Sequence, residues 1–580
     1  MPRAGGAALL VCVGLLVAVL VTYAGSLGNK PVWDDGPLVV DNPFLGTLAG
    51  LGKLWSSDLW SASANTEPSS YYRPFTMFTF WVNVNVAGRS AAALRFGNIL
   101  IHAANAMLLA LFARKAHALS WRSAGLVALL FAVAPVCSEP VLWISGRFDL
   151  LVVTFALLAL VAGRMQGRAG VALVLASVAA GLLSKESFVG WLPLMFLDDV
   201  FVNARLPARR LVTKYAAVAA IVAAYFVGRK IVGIPSLDVL THAGPRVLAE
   251  SFCFLIATFL RELVWPSTLN PFRPYITPSP ASLALTAAVV AALVAAPLLA
   301  LRRQRTNPRS RLAAFGVAWF LFATIPSSVV GPTLAMVGDR YAYLPSIGLF
   351  LVVMAILGEL DQRHVAGVAS KAIVAAILGV AVACAARIII RARDWHDDDA
   401  LAMSSLASDP ESPYPLYWLG TEAAEHGQLD VADQLLARSL ARNPESWRTW
   451  NAICYVRLNQ NRLAEGERAC KHAIDLLGVN PRMWVNLASI YVREGRWSDA
   501  LTSADRALAL KPGYVEAHYL AAVSAANLGM LPMAWMHVRA GLALQPSHPR
   551  LRALAADLER FEREHPPPHE TPLSSPAPAP

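Results

Sequence analysis

Residues 481–512 read PRMWVNLASIYVREGRWSDALTSADRALALKP. The string holds two amphipathic helical stretches around a Gly495-Arg496 turn: Trp484, Leu487, Ala488 and Tyr491 share one face of the first, and Ala500 and Ala507 mark the second. Small residues are needed where two antiparallel helices touch, and a proline ends each pair. Working outward, Pro410, Pro444, Pro481, Pro512 and Pro546 are spaced 34, 37, 31 and 34. Gly427 with Ala432, and Gly529 with Ala534, repeat the same turn. A recurring helix pair of this period predicts a solenoid whose units pack only on their neighbours, and four units fit the span.

The pattern resembles the tetratricopeptide repeat (TPR) family, which implies a concave helical surface that binds extended partners. None of its residues carries chemistry, and Trp447, Trp450, Trp484 and Trp497 read as repeat packing. Cys454 and Cys470 fall in the unit from Pro444 to Pro481, three residues longer than the mean. An insertion in its turn would align them with Tyr491 and Ala504, facing across the pair at the ~5.5 Å Cα separation of a disulfide. Such a bond persists only outside the cytoplasm; the alternative is two small buried thiols. The tail from 564, EHPPPHETPLSSPAPAP, is Pro-rich and expected to be disordered.

Upstream the chain changes character. Overall 56% of its residues are hydrophobic and 15% charged, with a mean hydropathy of +0.47, which excludes an ordinary soluble enzyme. The net charge of +11 lies in short clusters between apolar runs, a pattern of membrane orientation rather than of nucleic-acid binding. Apolar runs occupy 7–23, 95–113, 123–137, 149–163, 170–183, 187–202, 215–233, 281–301, 312–330, 343–358 and 372–390. They approach the ~20 residues that cross a bilayer, so eleven spans are expected, the first retained rather than cleaved. One set of connections collects Arg3, Arg114, Lys115, Arg122, Arg164, Arg168, Arg205, Arg209, Arg210, Lys214, Arg302, Arg303, Arg305, Arg309, Arg311, Arg363 and Lys371. That set marks the cytoplasmic side, with the N-terminus there and the repeats outside. Arg387, Arg391 and Arg393 run against it. The stretch 247–265, with Glu250, Arg261 and Glu262, reads as an interfacial or re-entrant helix.

The opposite connections carry the polar motifs: VWDDGPLVVDNP with Asp34 and Asp35, SSYYRPF with Arg73, and APVCSEPVLWISGRFDLL with Glu139, Arg147 and Asp149. LLSKES follows with Lys185 and Glu186, then MVGDRYAYLPSIG with Asp339, Arg340, Tyr341 and Tyr343. Charge at membrane depth is costly, so its default reading is functional. Structural ion pairs, Glu139 with Arg147 and Lys185 with Glu186, are the rival reading. Asn98 and His102, one helical turn apart, read as an interhelical hydrogen-bonding face.

In this order, and followed by TPR units, the motifs resemble the transmembrane and TPR repeat-containing O-mannosyltransferase family, with Arg393-Asp394-Trp395 as the exit sequence. The Arg-rich composition suggests a bacterial relative. The resemblance implies an all-α, GT-C-type membrane glycosyltransferase that uses a polyprenyl-phosphate sugar, mannose by resemblance, and a protein Ser or Thr hydroxyl. Asp34 or Asp35 would accept the hydroxyl proton, and a divalent metal on that pair is a second use for it. Arg73, Arg147, Lys185 and Arg340 would stabilise the departing phosphate, while Glu139, Asp149, Glu186 and Asp339 orient them or bind the sugar. Relatives often read HPxHTE where this chain has APVCSE, so Ala134 and Cys137 replace two histidines. The expected organisation is a membrane domain over 1–393, repeats over 394–563 that recruit the acceptor or a partner, and the tail, in a bacterial inner membrane. A non-catalytic envelope scaffold and a lipid-linked oligosaccharide ligase or transporter are the alternatives; a transporter would place its charges near mid-bilayer.

Overall fold

A computed structural model describes residues 2–62, 69–117, 119–203, 207–235, 244–303, 308–334, 336–362 and 368–565. Arg205, Arg305, Arg363 and the tail from 566 lie outside the described residues. Among the described residues the regular structure is helical apart from a two-residue antiparallel pairing of Arg273–Pro274 with Met336–Val337. It divides into two compact units, Met1–Ser412 and Pro413–Pro580.

Among the described residues of the first unit, eight helical stretches are long and apolar enough to cross a membrane: Gly6–Gly28, Ala91–Ala116, Ile144–Ala162, Gly167–Ser184, Ala208–Val232, Arg309–Pro332, Asp339–Leu357 and Lys371–Arg391. The protein is an integral membrane protein. Two expected spans take another form. The run 123–137 yields only the helix Trp121–Ala132, because Pro135 starts a separate 3₁₀ turn. The run 187–202 is broken into a 3₁₀ turn Glu186–Trp191, the helix Leu192–Leu197 and a π turn Asp198–Asn203. The run 281–301 forms one continuous helix of 24 residues, Pro280–Arg303. The helices Pro308–Thr324 and Tyr343–Gln362 meet at Gly316 and Gly348; a Cβ on Gly316 would stand 2.5 Å from the Gly348 carbonyl oxygen, so only small residues permit this crossing.

Ion pairs define the unit's two ends. At the basic end Arg164 grips Asp198 through both carboxylate oxygens, at 2.7 and 2.8 Å. Beside it Asp199 accepts from Lys214 at 2.5 Å and Tyr215 at 2.8 Å. At the motif end Lys185 binds Asp149 and Arg73 binds Glu186. The broken 186–203 segment therefore runs from one end of the unit to the other. Arg391, which breaks the basic-side pattern, is buried at the motif end, donating to Asp339 Oδ2 at 2.7 Å and to the Leu269 carbonyl. Arg387 caps the Pro266 carbonyl. Arg387 and Arg391 are thus internal partners, whereas Arg393 is exposed.

The helix Pro245–Val264 buries Ser251, Leu255, Thr258, Phe259 and Glu262 along one stripe. Residues 394–412, expected with the repeats, belong to the first unit. Asp398 of the helix Asp398–Ser408 accepts from Trp33 N–H at 2.8 Å, and Ser412 Oγ donates to the Phe272 carbonyl at 2.9 Å.

The second unit repeats without any insertion. The leading helices Pro413–Glu425, Trp447–Asn459, Pro481–Arg493, Val515–Asn527 and Pro549–Glu564 start 34 residues apart in every case. The trailing helices Leu429–Arg442, Leu463–Leu476, Trp497–Leu510 and Leu531–Leu544 keep the same step. The uneven proline spacing arises because Pro481 opens its helix, whereas Pro444 and Pro512 lie in the loop before theirs. The turn inside each pair needs a left-handed residue: Gly427, Gly495 and Gly529 supply it, and Asn461 (φ 60°) replaces glycine in the second unit. Cys454 and Cys470 thus align with Ala488 and Ala504, not with Tyr491 and Ala504. Both positions are fully buried at the closest approach of the two helices, and the two cysteines are joined in a disulfide with Cα atoms 5.2 Å apart. Trp450 and Trp484 pack at the margin of this core.

Candidate active site

The loop that carries Asp34 and Asp35 is fixed by a residue the motifs did not single out. Arg95, fully buried near the start of the helix Ala91–His117, donates to the carbonyls of Ser26, Asn29, Lys30 and Leu142 at 2.8–3.0 Å. An arginine inside an apolar run was a readable signal; its partners, 47 to 69 residues away, were not. Asn29 and Lys30 also bind Ala392 and His396 backbone oxygens. Trp33 follows in the left-handed region, φ 55°, a conformation that costs a bulky residue energy and needs support. The support is a stack on Trp143 at 4.8 Å, an edge contact with Phe272 and the Asp398 hydrogen bond.

The two aspartates separate in role. Asp35 is fully buried; its Oδ1 accepts from the Ser145 amide and hydroxyl, each at 2.8 Å, and its Oδ2 from the Val32 amide at 3.2 Å. Burial pushes its pKa up to about 6, against the bonds from Ser145 and Val32 and the charge of Arg95. Enclosed and surrounded by donor hydrogens, Asp35 does not present the open carboxylate expected of a proton acceptor here. Asp34 stays half-buried on the same turn. Among the described residues no three His, Cys, Asp or Glu side chains converge as a metal set.

Four more expected site residues are internal struts. Glu139 pairs with Arg340, not with Arg147: Oε1 takes Arg340 Nη1 at 2.6 Å and Oε2 its amide at 3.0 Å. Burial raises the Glu139 pKa and the Arg340 charge opposes that rise. Asp339 lies between Arg391 and Arg273, and Arg273 continues to Glu262. Arg147 is buried on neutral oxygens, those of Asn98, Asn83, Leu94 and Thr79. Asn98 also donates to the Trp143 and Ile144 carbonyls, and His102 bonds Tyr343 and Ala132, the interhelical role read for both. Ala134 is buried, and buried Cys137 lies 3.3 Å from Ser346 Oγ.

A layer remains whose charged side chains are mostly buried, 12–14% exposed. Lys185 Nζ binds Asp149 at 2.5 Å and lies over the Tyr341 ring at 5.3 Å. Glu186 does not pair with its neighbour Lys185 but accepts from Arg73 Nε at 3.0 Å and Tyr72 N–H at 2.8 Å. Arg73 stacks on Tyr71 and Phe148, each at 4.6 Å. Its two Nη groups make no hydrogen bond among the described residues, which leaves the planar edge of the guanidinium for a ligand. Arg229 stands 3.7 Å from Glu186 and was not anticipated.

No protein-family model matches the chain. It is 25% identical over 479 residues to the human Protein O-mannosyl-transferase TMTC4, covering 71% of this chain and 64% of that one. It is 31% identical over 192 residues to Protein O-mannosyl-transferase F38B6.6 of Caenorhabditis elegans, covering 33% and 28%. The chain thus spans a little under two thirds of the length of its human relative, and the resemblance read from the motifs holds across most of this sequence. Among solved structures, MamA (18% identity, 25% of this chain and 85% of that one) has a TM-score of 0.24. The TPR protein YrrB (17%, 28% and 85%) has 0.26. At these scores neither adds to the fold described above.

Proposed function

We propose that this chain, similar along most of its length to protein O-mannosyl-transferases, moves a sugar from a polyprenyl-phosphate donor to Ser or Thr hydroxyls of a protein. By the same resemblance the sugar is mannose. The observation that carries this reading is the mostly buried layer of paired charges at the motif end, where the two Nη groups of Arg73 have no hydrogen-bond partner among the described residues. The acceptor oxygen attacks the anomeric carbon as the bond from that carbon to the phosphate oxygen breaks, and the phosphate leaves with the electron pair. Arg73 and Lys185 face the charge that develops there, in surroundings where it is worth more than in water. Glu186 and Asp149 hold the two cations in place. Asp34, the accessible member of its pair, takes the hydroxyl proton.

In this reading the motif end lies outside the cytoplasm, with eleven crossings and a cytoplasmic N-terminus in a bacterial inner membrane. The Cys454–Cys470 disulfide supports an outer position for the repeats, because such bonds persist in oxidising compartments. The repeats then recruit the acceptor or a partner. Membranes containing the protein, supplied with lipid-linked sugar, test the reading. Wild type labels a protein acceptor, and Asp34→Asn abolishes labelling without changing thermal stability. Wild-type rates from Asp34→Asn would remove it as the base, and an inert wild type would favour the scaffold.

A further inference from the structure

The turn from Val32 to Asp35 decides where Asp34 points. Its ends are fixed: the Asp35 amide donates to the Val32 carbonyl at 3.0 Å, and the Val32 amide donates back to Asp35 Oδ2 at 3.2 Å. Val32 and Asp35 are both buried, and the Asp34 carbonyl accepts from Leu38 N–H at 3.1 Å. Trp33 and Asp34 are the two central residues. Only the first has a positive φ, 55°, the primed arrangement in which glycine normally stands. Among the described residues Asn461 is the one other non-glycine with a positive φ, and asparagine tolerates that region as tryptophan does not. With both ends of the turn held, relaxation of Trp33 to a negative φ would rotate the peptide that leads into Asp34, and the Asp34 side chain with it.

What holds Trp33 comes from far along the chain. Asn29 Nδ2 donates to the Ala392 carbonyl at 2.7 Å, Lys30 N–H to the His396 carbonyl at 2.8 Å, and Trp33 N–H to Asp398 Oδ1 at 2.8 Å. Asp398 is itself anchored. It opens the helix Asp398–Ser408, which Asp397 caps through the Ala400 amide and which buries Leu401, Ala402 and Ser405. Ser405 Oγ donates to Asn270, and Phe272, whose ring meets Trp33 edge-on, takes the Ser412 hydroxyl on its carbonyl. The contacts of Asn29 and Lys30 hold the approach to the turn. The contact of Asp398 acts on the strained residue itself, and its carboxylate makes it stronger than a neutral pair.

We propose that Asp398 is a positioning residue for the transfer: by holding the Trp33 amide it keeps the turn in the form that aims Asp34 at the acceptor hydroxyl. The inference rests on the glycosyl-transfer reading and adds to it a residue that acts through the turn rather than on the substrate. The test uses the full chain in membranes, with labelled polyprenyl-phosphate mannose as donor and the proteins of those membranes as acceptors. Asp398→Ala is expected to lower the maximal rate at least tenfold with the donor KM within twofold of wild type. Asp398→Asn keeps a side-chain oxygen that can face the amide and is expected to retain at least a third of the rate. Hydrogen exchange reads the contact apart from activity: the Trp33 amide should quicken at least tenfold in Asp398→Ala and less than threefold in Asp398→Asn. Asp398→Ser, too short to reach Trp33, stands in should the alanine variant not fold. A full rate in Asp398→Ala, an equal loss in Asp398→Asn, a donor KM that rises in step with the fall in rate, or unchanged exchange at Trp33 overturns the positioning role alone. A wild type that labels no acceptor overturns the glycosyl-transfer reading and this role with it.

Discussion

Arg95→Met is the sharpest perturbation of the motif end, because it removes one side chain from four buried carbonyl oxygens at once. A hydrogen bond from a charged donor contributes about 1.5–3 kcal/mol, and an acceptor left buried without one costs a similar amount. The four terms do not add, since the loop can open and let water reach the released carbonyls before the full penalty accrues. A net loss of about 3–5 kcal/mol in local stability follows, the range for removing one partner of a buried charged network. Hydrogen exchange reads this directly at the amides of Asn29, Lys30 and Asp35, bonded to Ser26, His396 and Val32. At 1.36 kcal/mol per tenfold, their exchange should quicken by roughly two to four powers of ten. The amides of Cys137 and Ser138, bonded to Ala134 and Pro135, serve as controls and should change far less. Arg95→Lys keeps the charge but loses the planar fork, and should fall between. Unchanged exchange at 29, 30 and 35 in a folded Arg95→Met protein would refute the claim that this guanidinium holds the loop.

Three further outcomes are expected. In the last repeats buried His518 Nε2 donates to the Pro512 carbonyl, leaving its Nδ1 to accept from His537 Nδ1 at 3.1 Å; burial first, then the His518 charge, lowers the His537 pKa, and Asp505 opposes. A base depressed in the folded state loses stability as pH falls through its unfolded value of about 6.5, so the repeats should melt at a lower temperature at pH 5 than at pH 7.5, a difference that His537→Gln abolishes; a pH-independent melting curve for wild type would contradict this. Thiol labelling of denatured protein isolated under oxidising conditions should count two more thiols after reduction than before, and Cys454→Ala/Cys470→Ala should lower repeat stability by about 2–4 kcal/mol in chemical denaturation. Removing residues 413–580 should leave a folded membrane unit that still binds the lipid donor yet uses native acceptors poorly; full activity on native acceptors would end the recruiting role.

The repeats were legible because everything that forms them is local. A helix pair and its turn fit inside 34 residues, so Trp484, Ala488 and Ala500 announce the unit without reference to distant sequence. Even there proline proved a poor ruler: Pro481 serves as the first residue of a helix while its counterparts serve as loop residues, and only the helix starts carry the true register. The membrane motifs were legible as a set for another reason, the cost of charge at depth, which marks Glu139, Arg147, Asp149 and Lys185 as needing partners. Who the partners are is not a local property. Glu139 finds Arg340 201 residues away, Asp35 finds Ser145 110 residues away, and Lys185 turns from its neighbour Glu186 to Asp149. Adjacent acids such as Asp34 and Asp35 look alike in sequence, because the enclosure of one depends on the turn Ile144–Gly146 closing over it. The same packing decides which charges are committed to each other and which remain open. Arg73 is the clearest case: its Nε is committed to Glu186, 113 residues away, while its Nη pair has no hydrogen-bond partner among the described residues, a division that no local pattern around Arg73 announces.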